Sequence, residues 1–177
     1  PLTAGLDTQA VLDAIPPLKD IDVLGSVAKE SYANGEMDRM PPVARAVYEI
    51  FESHNISLKG KKNVVAGHGR LVGEPVHLML KRMKVPHDII DIKTSEEKKL
   101  ALLKNADVII SGMGTPHSIK PEMVKEGVVL IDAGTSEQAG KLVGDIDPAC
   151  ETKALFMTPV PGGVGPITIV SLLRNLF

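Results

Sequence analysis

The chain has 177 residues, 44% of them hydrophobic, enough for one domain or one domain with part of a second. Its 20 basic and 22 acidic residues leave a net charge of −2, and with no lysine/arginine block, three Phe, two Tyr and no Trp, nucleic acid is excluded as the expected partner. Cys150 is the only cysteine, so no internal disulfide can form and a reducing cytosol is expected, while no apolar run approaches the roughly 20 residues of a membrane span. The chain opens at Pro1 without a Met or a signal-like segment, from which further upstream sequence is expected.

In chain order, Asp7 or Thr8 is placed to cap a short helix that carries Val11, Leu12 and Ile15 on one face and stops at Pro16. Residues 19–25 read as a loop and residues 26–40 as polar and irregular. Pro41-Pro42 opens a helix to about Asn55 with Val43, Val47, Ile50 and Phe51 inward. From residue 63 strands and helices alternate. Strands are expected at 63–66, 88–92, 107–111, 128–132 and 155–160, with helices near 75–83 and 96–105 and a short one near 120–125. The strands are short, β-branched and apolar on both faces, as buried parallel strands are. The fold class is therefore α/β, a doubly wound parallel sheet with right-handed crossovers.

The stretch from Val64 to Pro75 carries the first functional signal. A β-branched run ends in Gly67, Gly69 and Gly73, and a helical pattern follows. Gly67 permits a tight turn, Gly69 lets backbone approach a pyrophosphate, and Gly73 lets the helix pack on the strand, with the anion on the helix N-terminus. The spacing G-x-G-x-x-x-G departs from the usual G-x-G-x-x-G, so a glycine-rich turn with no ligand is the alternative. The other strand ends read Asp91-Ile92, Gly112-Met113-Gly114-Thr115, Ala133-Gly134-Thr135 and Pro161-Gly162-Gly163. Ligands of such sheets bind outside the carboxyl ends of the strands, and four of these five ends offer glycine where a flat cofactor needs close backbone approach. Gly114 and Thr135 join Gly67, His68, Gly69 and Arg70 as candidate cofactor contacts.

The stretch Thr158-Pro159-Val160-Pro161-Gly162-Gly163-Val164-Gly165-Pro166-Ile167-Thr168 is more specific. It resembles the signature of the bifunctional methylenetetrahydrofolate dehydrogenase/methenyltetrahydrofolate cyclohydrolase family. The resemblance covers nearly the whole chain. Pro1-Leu2 is similar to the end of the family's Gln-Leu-Pro-Leu segment, and Lys19-Asp20-Ile21-Asp22 to its Lys-Asp-Val-Asp-Gly motif. Val65 to Pro75 resembles its Val-Gly-Arg-Ser-x-x-Val-Gly-x-Pro loop, and Ile131–Gly134 and Val143–Asp147 its later strand and hairpin.

The resemblance implies two domains flanking a cleft: residues 1–57 as the later part of an α/β folate domain, residues 58–158 as a Rossmann-like NAD(P)-binding domain, and residues 159–177 as a cleft loop and a helix, from Thr168, returning to the first domain. It implies oxidation of 5,10-methylenetetrahydrofolate by hydride transfer to a nicotinamide cofactor, then hydrolysis of the methenyl product to 10-formyltetrahydrofolate. It implies that Asp22 is catalytic and holds the folate, since an ionised carboxylate can accept two adjacent N–H donors from a pterin edge. A solvated loop acid or an Asx turn is the alternative for Asp22. Pro161, Gly162, Gly163, Val164, Gly165, Pro166 and Thr168 would line the cleft where nicotinamide and pterin stack. The family glycine after the second Asp is Val23 here. The family's catalytic lysine, its neighbouring tyrosine and the glutamine precede Pro1. A homodimer is expected from the resemblance. A short homologue that binds dinucleotide without folate turnover, or a shikimate- or amino-acid-dehydrogenase-like domain, are the other readings.

Cofactor choice is where this chain departs from the family pattern. Family Arg-Ser is His68-Gly69 here, and the phosphate-binding Ser becomes Ile92, beside Asp91. An aspartate at the end of the second strand accepts from ribose hydroxyls and repels a 2′-phosphate. NAD is therefore expected to be preferred, with Arg70 and Lys93 keeping NADP possible. His68 either contacts the pyrophosphate or faces solvent. The other four histidines, His54, His77, His87 and His117, read as scattered, with no metal-ligand spacing.

Overall fold

Buried β-branched runs account for the centre of the molecule. In the computed structural model, which describes residues 5–177, β1 (Asn63–Ala66), β2 (His87–Ile90), β3 (Val108–Ser111), β4 (Val128–Asp132) and β7 (Ala154–Met157) form one parallel sheet in the order β2-β1-β3-β4-β7. The Pro1-Leu2 similarity lies outside the described residues. Strand order reverses between β1 and β3, which makes that junction the switch point where doubly wound sheets open a crevice. A small antiparallel hairpin, β5 (Ser136–Gln138) and β6 (Lys141–Val143), projects from the end of β4.

Alternate strand residues face opposite layers. Val65, Val108, Ile110, Val129 and Ile131 pack with α3 (Pro42–Ser53), α4 (Gly73–Arg82) and α6 (Val164–Arg174) through Val47, Ile50, Val76, Leu80 and Val164. Val64, Ala66, Ile109 and Leu130 pack with Leu103 of α5 (Glu96–Asn105) and with Ile119, Ile146 and Cys150. Helices thus cover one face, and α5 with the loop segments covers the other.

The remaining helices are short. Asp7 caps α1 (Thr8–Asp13), its Oδ1 accepting from the Gln9 and Ala10 amides at 2.9 and 3.2 Å. Residues 26–40, expected to be irregular, instead contain α2 (Ser26–Ala33). Only Ala28 and Tyr32, four residues apart, face inward, so the apolar period is too sparse to stand out in the sequence. Along with Val23 they form a small core against Leu78 of α4. Arg82 ties this segment down, donating to the Tyr32 and Met37 carbonyls at 3.2 and 2.8 Å, and Lys29 pairs with Glu74 at 2.7 Å.

Details of α6, β2 and α3 differ from expectation. α6 starts at Val164, not Thr168, so Gly165 and Pro166 lie inside its first turn, where N–H groups are unpaired and proline is tolerated. β2 ends at Ile90 because Asp91–Thr94 folds into an Asx turn. Val43 of α3 is half-exposed, whereas Ala44 and Ala46 are buried.

α6 packs along α3, and its C-cap Asn175 donates to the Ile21 and Met40 carbonyls at 2.7 and 2.9 Å. Its outer face leaves Ile169, Val170, Leu173 and Leu176 largely exposed, and Val11 and Ile15 of the α1 segment are exposed as well. Among the described residues no helix is long and apolar enough to cross a membrane.

Candidate functional site

The rim of the sheet is shaped by glycines that the packing requires. Gly67 leaves β1 at φ +94°, and a Cβ there would lie 2.5 Å from the Gly112 carbonyl oxygen. A Cβ on Gly73 would lie 1.9 Å from the Gly67 carbonyl oxygen, so α4 can start this close to β1 only without a side chain. Gly69 is different: nothing lies within 4 Å of its would-be Cβ. It borders open space where Gly67 and Gly73 border protein. No side chain caps α4, and its N-terminus faces the same turn.

That turn borders a cavity of about 550 Å³ lined by Gly67, His68, Gly69, Asp91, Ile92, Gly112, Met113 and Thr115, among others. This is within the size range of small-molecule sites, about 300–1,000 Å³. Gly114, at φ +65°, stands between two lining residues. Ile92 is fully exposed, and Arg70 is exposed without lining this cavity. The Asp91 Oδ1 atom accepts from the Thr94 hydroxyl and the Lys93 amide, both at 2.9 Å. These bonds, the Thr94 one foremost, hold its carboxyl below the usual carboxylate range. Asp91 therefore stays ionised, with Oδ2 free of a hydrogen-bond partner among the described residues.

A second, more apolar cavity of about 430 Å³ continues along the rim at β4 and β7. Thr135, Pro161, Gly162, Gly163, Val164, Gly165, Pro166 and Thr168 line it together with Val43, Leu71, Val72 and Ile169. Val72 joins the two spaces: it lines the second, and its side chain fills the position beside Gly112 that a Cβ would need. Gly67, Asp91, Thr135 and Gly162 thus fall along one edge of the sheet.

Two buried acids hold this rim, Asp132 and Asp145, which stand in the sequence only as part of the resembling strand and hairpin, with no role of their own. Asp145 is fully buried and accepts from the Ser111 hydroxyl (2.8 Å) and from the Met113 and Thr115 amides (2.6 and 2.8 Å), fixing the loop after β3. Asp132 accepts from the Gly134, Asp145 and Ile146 amides, while its own amide donates to Thr158 Oγ1 at 2.8 Å. Burial pushes the Asp132 carboxyl up, against the downward pull of these amides. The available signal was in the glycines: a Cβ on Gly134 would meet the Asp145 carboxylate at 2.2 Å, and one on Gly144 would meet Asp132 at 2.1 Å.

Asp22 is exposed and lines neither cavity. Its loop is tightly held. Asp20, buried, accepts from the Leu24 and Gly25 amides at 2.9 and 2.8 Å. Val23 is fully buried at φ +58°, a region costly for a β-branched residue and the position of the family glycine. Desolvation, then the nearby Asp20 charge, raise the Asp22 carboxyl above its usual range.

The histidines are not all scattered. His68, His77 and His87 stand in a row, ring centroids 5.6 and 5.0 Å apart, and His77 Nδ1 lies 2.8 Å from His87 Nε2. Among the described residues no group of three or more His, Cys, Asp or Glu side chains is placed to hold a metal ion. Cys150 is buried, and burial, with Asp147 and Glu122 nearby, pushes its thiol up to about 11, which leaves it protonated and unreactive.

The chain is 41% identical over 177 residues to the bifunctional protein FolD of Clostridium tetani, and 40% identical over 178 residues to that of Clostridium novyi; each match covers 99% of this chain and 63% of the relative. Among solved structures, the Campylobacter jejuni bifunctional FolD methylenetetrahydrofolate dehydrogenase/cyclohydrolase superposes with a TM-score of 0.92 at 33% identity, over 99% of this chain and 62% of that one. The Trypanosoma brucei enzyme, solved with NADP cofactor and inhibitor, superposes with a TM-score of 0.89 at 32% identity, over the same shares. The chain thus spans about 63% of the length of the curated relatives. A family model described as tetrahydrofolate dehydrogenase/cyclohydrolase, NAD(P)-binding domain, matches residues 41–177, starting at the N-cap of α3, and the chain belongs to that family.

Proposed function

We propose that this chain binds a nicotinamide dinucleotide along the rim of its sheet and serves the oxidation of 5,10-methylenetetrahydrofolate, followed by hydrolysis of the methenyl product to 10-formyltetrahydrofolate. The observation that carries this reading is the glycine pattern: Gly67 and Gly73 are demanded by backbone contacts, while Gly69 opens onto the cavity, leaving room for a pyrophosphate at the start of α4. When bound, the nicotinamide accepts the hydride. The protein's part is positioning. The Pro161–Gly165 loop and Thr135 border the apolar cleft where nicotinamide and pterin would stack, and Leu71, Val72 and Val43 give it an apolar wall. Asp22 is assigned to the folate, its raised carboxyl presented on a loop fixed by Asp20, Val23 and Asn175. An exposed acid beside a strained, buried neighbour is a pattern of functional loops.

NAD is the preferred cofactor in this proposal. Asp91 keeps a free carboxylate oxygen for ribose hydroxyls, and Ile92 offers no phosphate donor. His68, Lys93 and Lys98 border the same corner and keep NADP binding within reach. The same reading divides the chain at 1–57, 58–158 and 159–177 and takes the protein as a cytosolic homodimer, which rests on the family resemblance.

The test is kcat/KM for methylenetetrahydrofolate oxidation with each cofactor. The proposal expects about a tenfold advantage for NAD, roughly 1.4 kcal/mol. A clear NADP advantage contradicts the cofactor assignment, and nucleotide binding with no hydride transfer would favour a dinucleotide-binding homologue without turnover.

A further inference from the structure

The row of three histidines lies directly behind the proposed phosphate side of the cofactor site, and its hydrogen bonds settle where its protons sit. His87 Nδ1 is 2.8 Å from the Val85 carbonyl oxygen. A carbonyl only accepts, so His87 Nδ1 carries the hydrogen. Neutral His87 then has its lone pair at Nε2, 2.8 Å from His77 Nδ1, so His77 Nδ1 donates. The one basic nitrogen left in the pair is His77 Nε2. A proton added there charges the pair without moving an atom. A second proton would set two N–H groups against each other across 2.8 Å. The pair therefore takes up one added proton and no more, at His77 Nε2.

His77 presents its ring edgewise to His68 at 5.6 Å, with an interplanar angle of 78°. His68 in turn borders both the glycine-lined cavity and an adjoining polar one shared with Asp91, Lys93, Thr94, Ser95 and Lys98. The charged groups facing His77 are Glu74 and Lys81 from α4, His87 from β2 and His68 from the loop. Glu74 is already paired with Lys29 at 2.7 Å. Burial, then the charges of the neighbouring His87 and His68, lower the His77 basicity, so its ring is neutral at neutral pH and takes its proton only below the ordinary imidazole range.

We propose that His77 and His87 form a one-proton positioning device behind His68 that makes cofactor choice depend on pH, the neutral pair favouring NAD and the charged pair favouring the 2′-phosphorylated NADP. This rests on the dinucleotide reading given above. The physical cause is charge balance: each added phosphate charge in the cavity stabilises a proton on the cluster, and by linkage the proton strengthens binding of the more anionic nucleotide. His77 does not touch the ligand; it acts through the His68 ring and through its own charge.

The experiment measures the dissociation constants of NAD and NADP at about pH 5 and about pH 8 for the wild-type chain, His77→Gln and His87→Asn. The ligand's own phosphate ionisation is common to all three proteins and cancels in the comparison. On going from the higher to the lower pH, the wild-type preference is expected to move toward NADP about tenfold more than in His77→Gln, with His87→Asn in between. Equal pH dependence in the wild type and His77→Gln overturns the device and leaves the dinucleotide reading intact. Failure of both nucleotides to bind at any pH overturns the device and the dinucleotide reading together. Nitrogen chemical shifts of the histidine rings give a readout that a merely structural pair would not move: a single protonation, at His77 Nε2, with both Nδ1 atoms protonated in the neutral form, is expected. Two independent titrations would contradict the proposal.

Discussion

Asp22, proposed to hold the folate, stands next to the most strained buried residue of its loop, Val23. Val23 takes a left-handed backbone conformation with its side chain fully buried, a costly arrangement for a β-branched residue. If Asp22 holds the folate, Asp22→Asn keeps the shape but loses the charge-assisted bonds. Its expected effect is a fall of roughly tenfold to 100-fold in kcat/KM for folate with the NAD dissociation constant unchanged. Steady-state kinetics with a parallel nucleotide titration checks this. Asp22 was visible in the sequence through the motif around it, and Gly67 and Gly73 through their spacing, because steric demands leave a residue type behind. The role of Asp132 and Asp145 was not, although both lie in resembling stretches, because burying an acid runs against the usual partition and only the hydrogen-bonding amides, distant in sequence, make it tolerable. His77 and His87 escaped for a similar reason: a turn from α4 into β2 brings them together, and no periodicity records it.

At the scale of elements, legibility followed the density of apolar residues. β1, β4 and α5 lie where the pattern placed them, since each has unbroken β-branched or capped helical character; Ser95 accepts from the Lys98 amide at 3.3 Å at the start of α5. α2 was lost because Ala28 and Tyr32 alone face inward. The start of α6 was misplaced because Gly165 and Pro166 read as breakers, although both are compatible with a first turn. α6 also carries an expectation of its own. Its inner side packs on α3, while Ile169, Val170 and Leu173 remain more than half exposed. An apolar stripe of this kind favours association. Leu173→Lys is expected to shift this chain toward monomer at micromolar concentration with little change in thermal midpoint, as read by sedimentation velocity. Unchanged sedimentation would show that the stripe is not a contact.

Across the whole molecule, the sheet joins its layers through a few polar fastenings at the end opposite the site. Asp107 accepts from Lys125 Nζ at 2.6 Å and from the Lys62 amide at 2.7 Å, linking the starts of β1 and β3 to the segment before β4. The Lys125 contact, followed by the Lys62 amide, lowers its carboxyl from the ordinary value of 3.8. A carboxyl lowered on folding stabilises the native state at pH above its unfolded value, and that stabilisation disappears as pH falls through the lower, folded value. Lys125→Met should therefore reduce stability near neutral pH modestly and leave it unchanged once the medium is acid enough to protonate Asp107. Urea midpoints across the acid range check this, and a loss that persists in strong acid would point to packing instead of charge.

The most direct test of the central claim uses Gly69, the one glycine of the turn that borders open space. Gly69→Val meets no protein atom within 4 Å of its Cβ, so the fold should be unaffected. Titration calorimetry with NAD on wild type and Gly69→Val, with thermal midpoints measured in parallel, is expected to show equal midpoints and binding weakened about tenfold or more in the variant. Equal midpoints with equal affinity would contradict a dinucleotide seated on this turn.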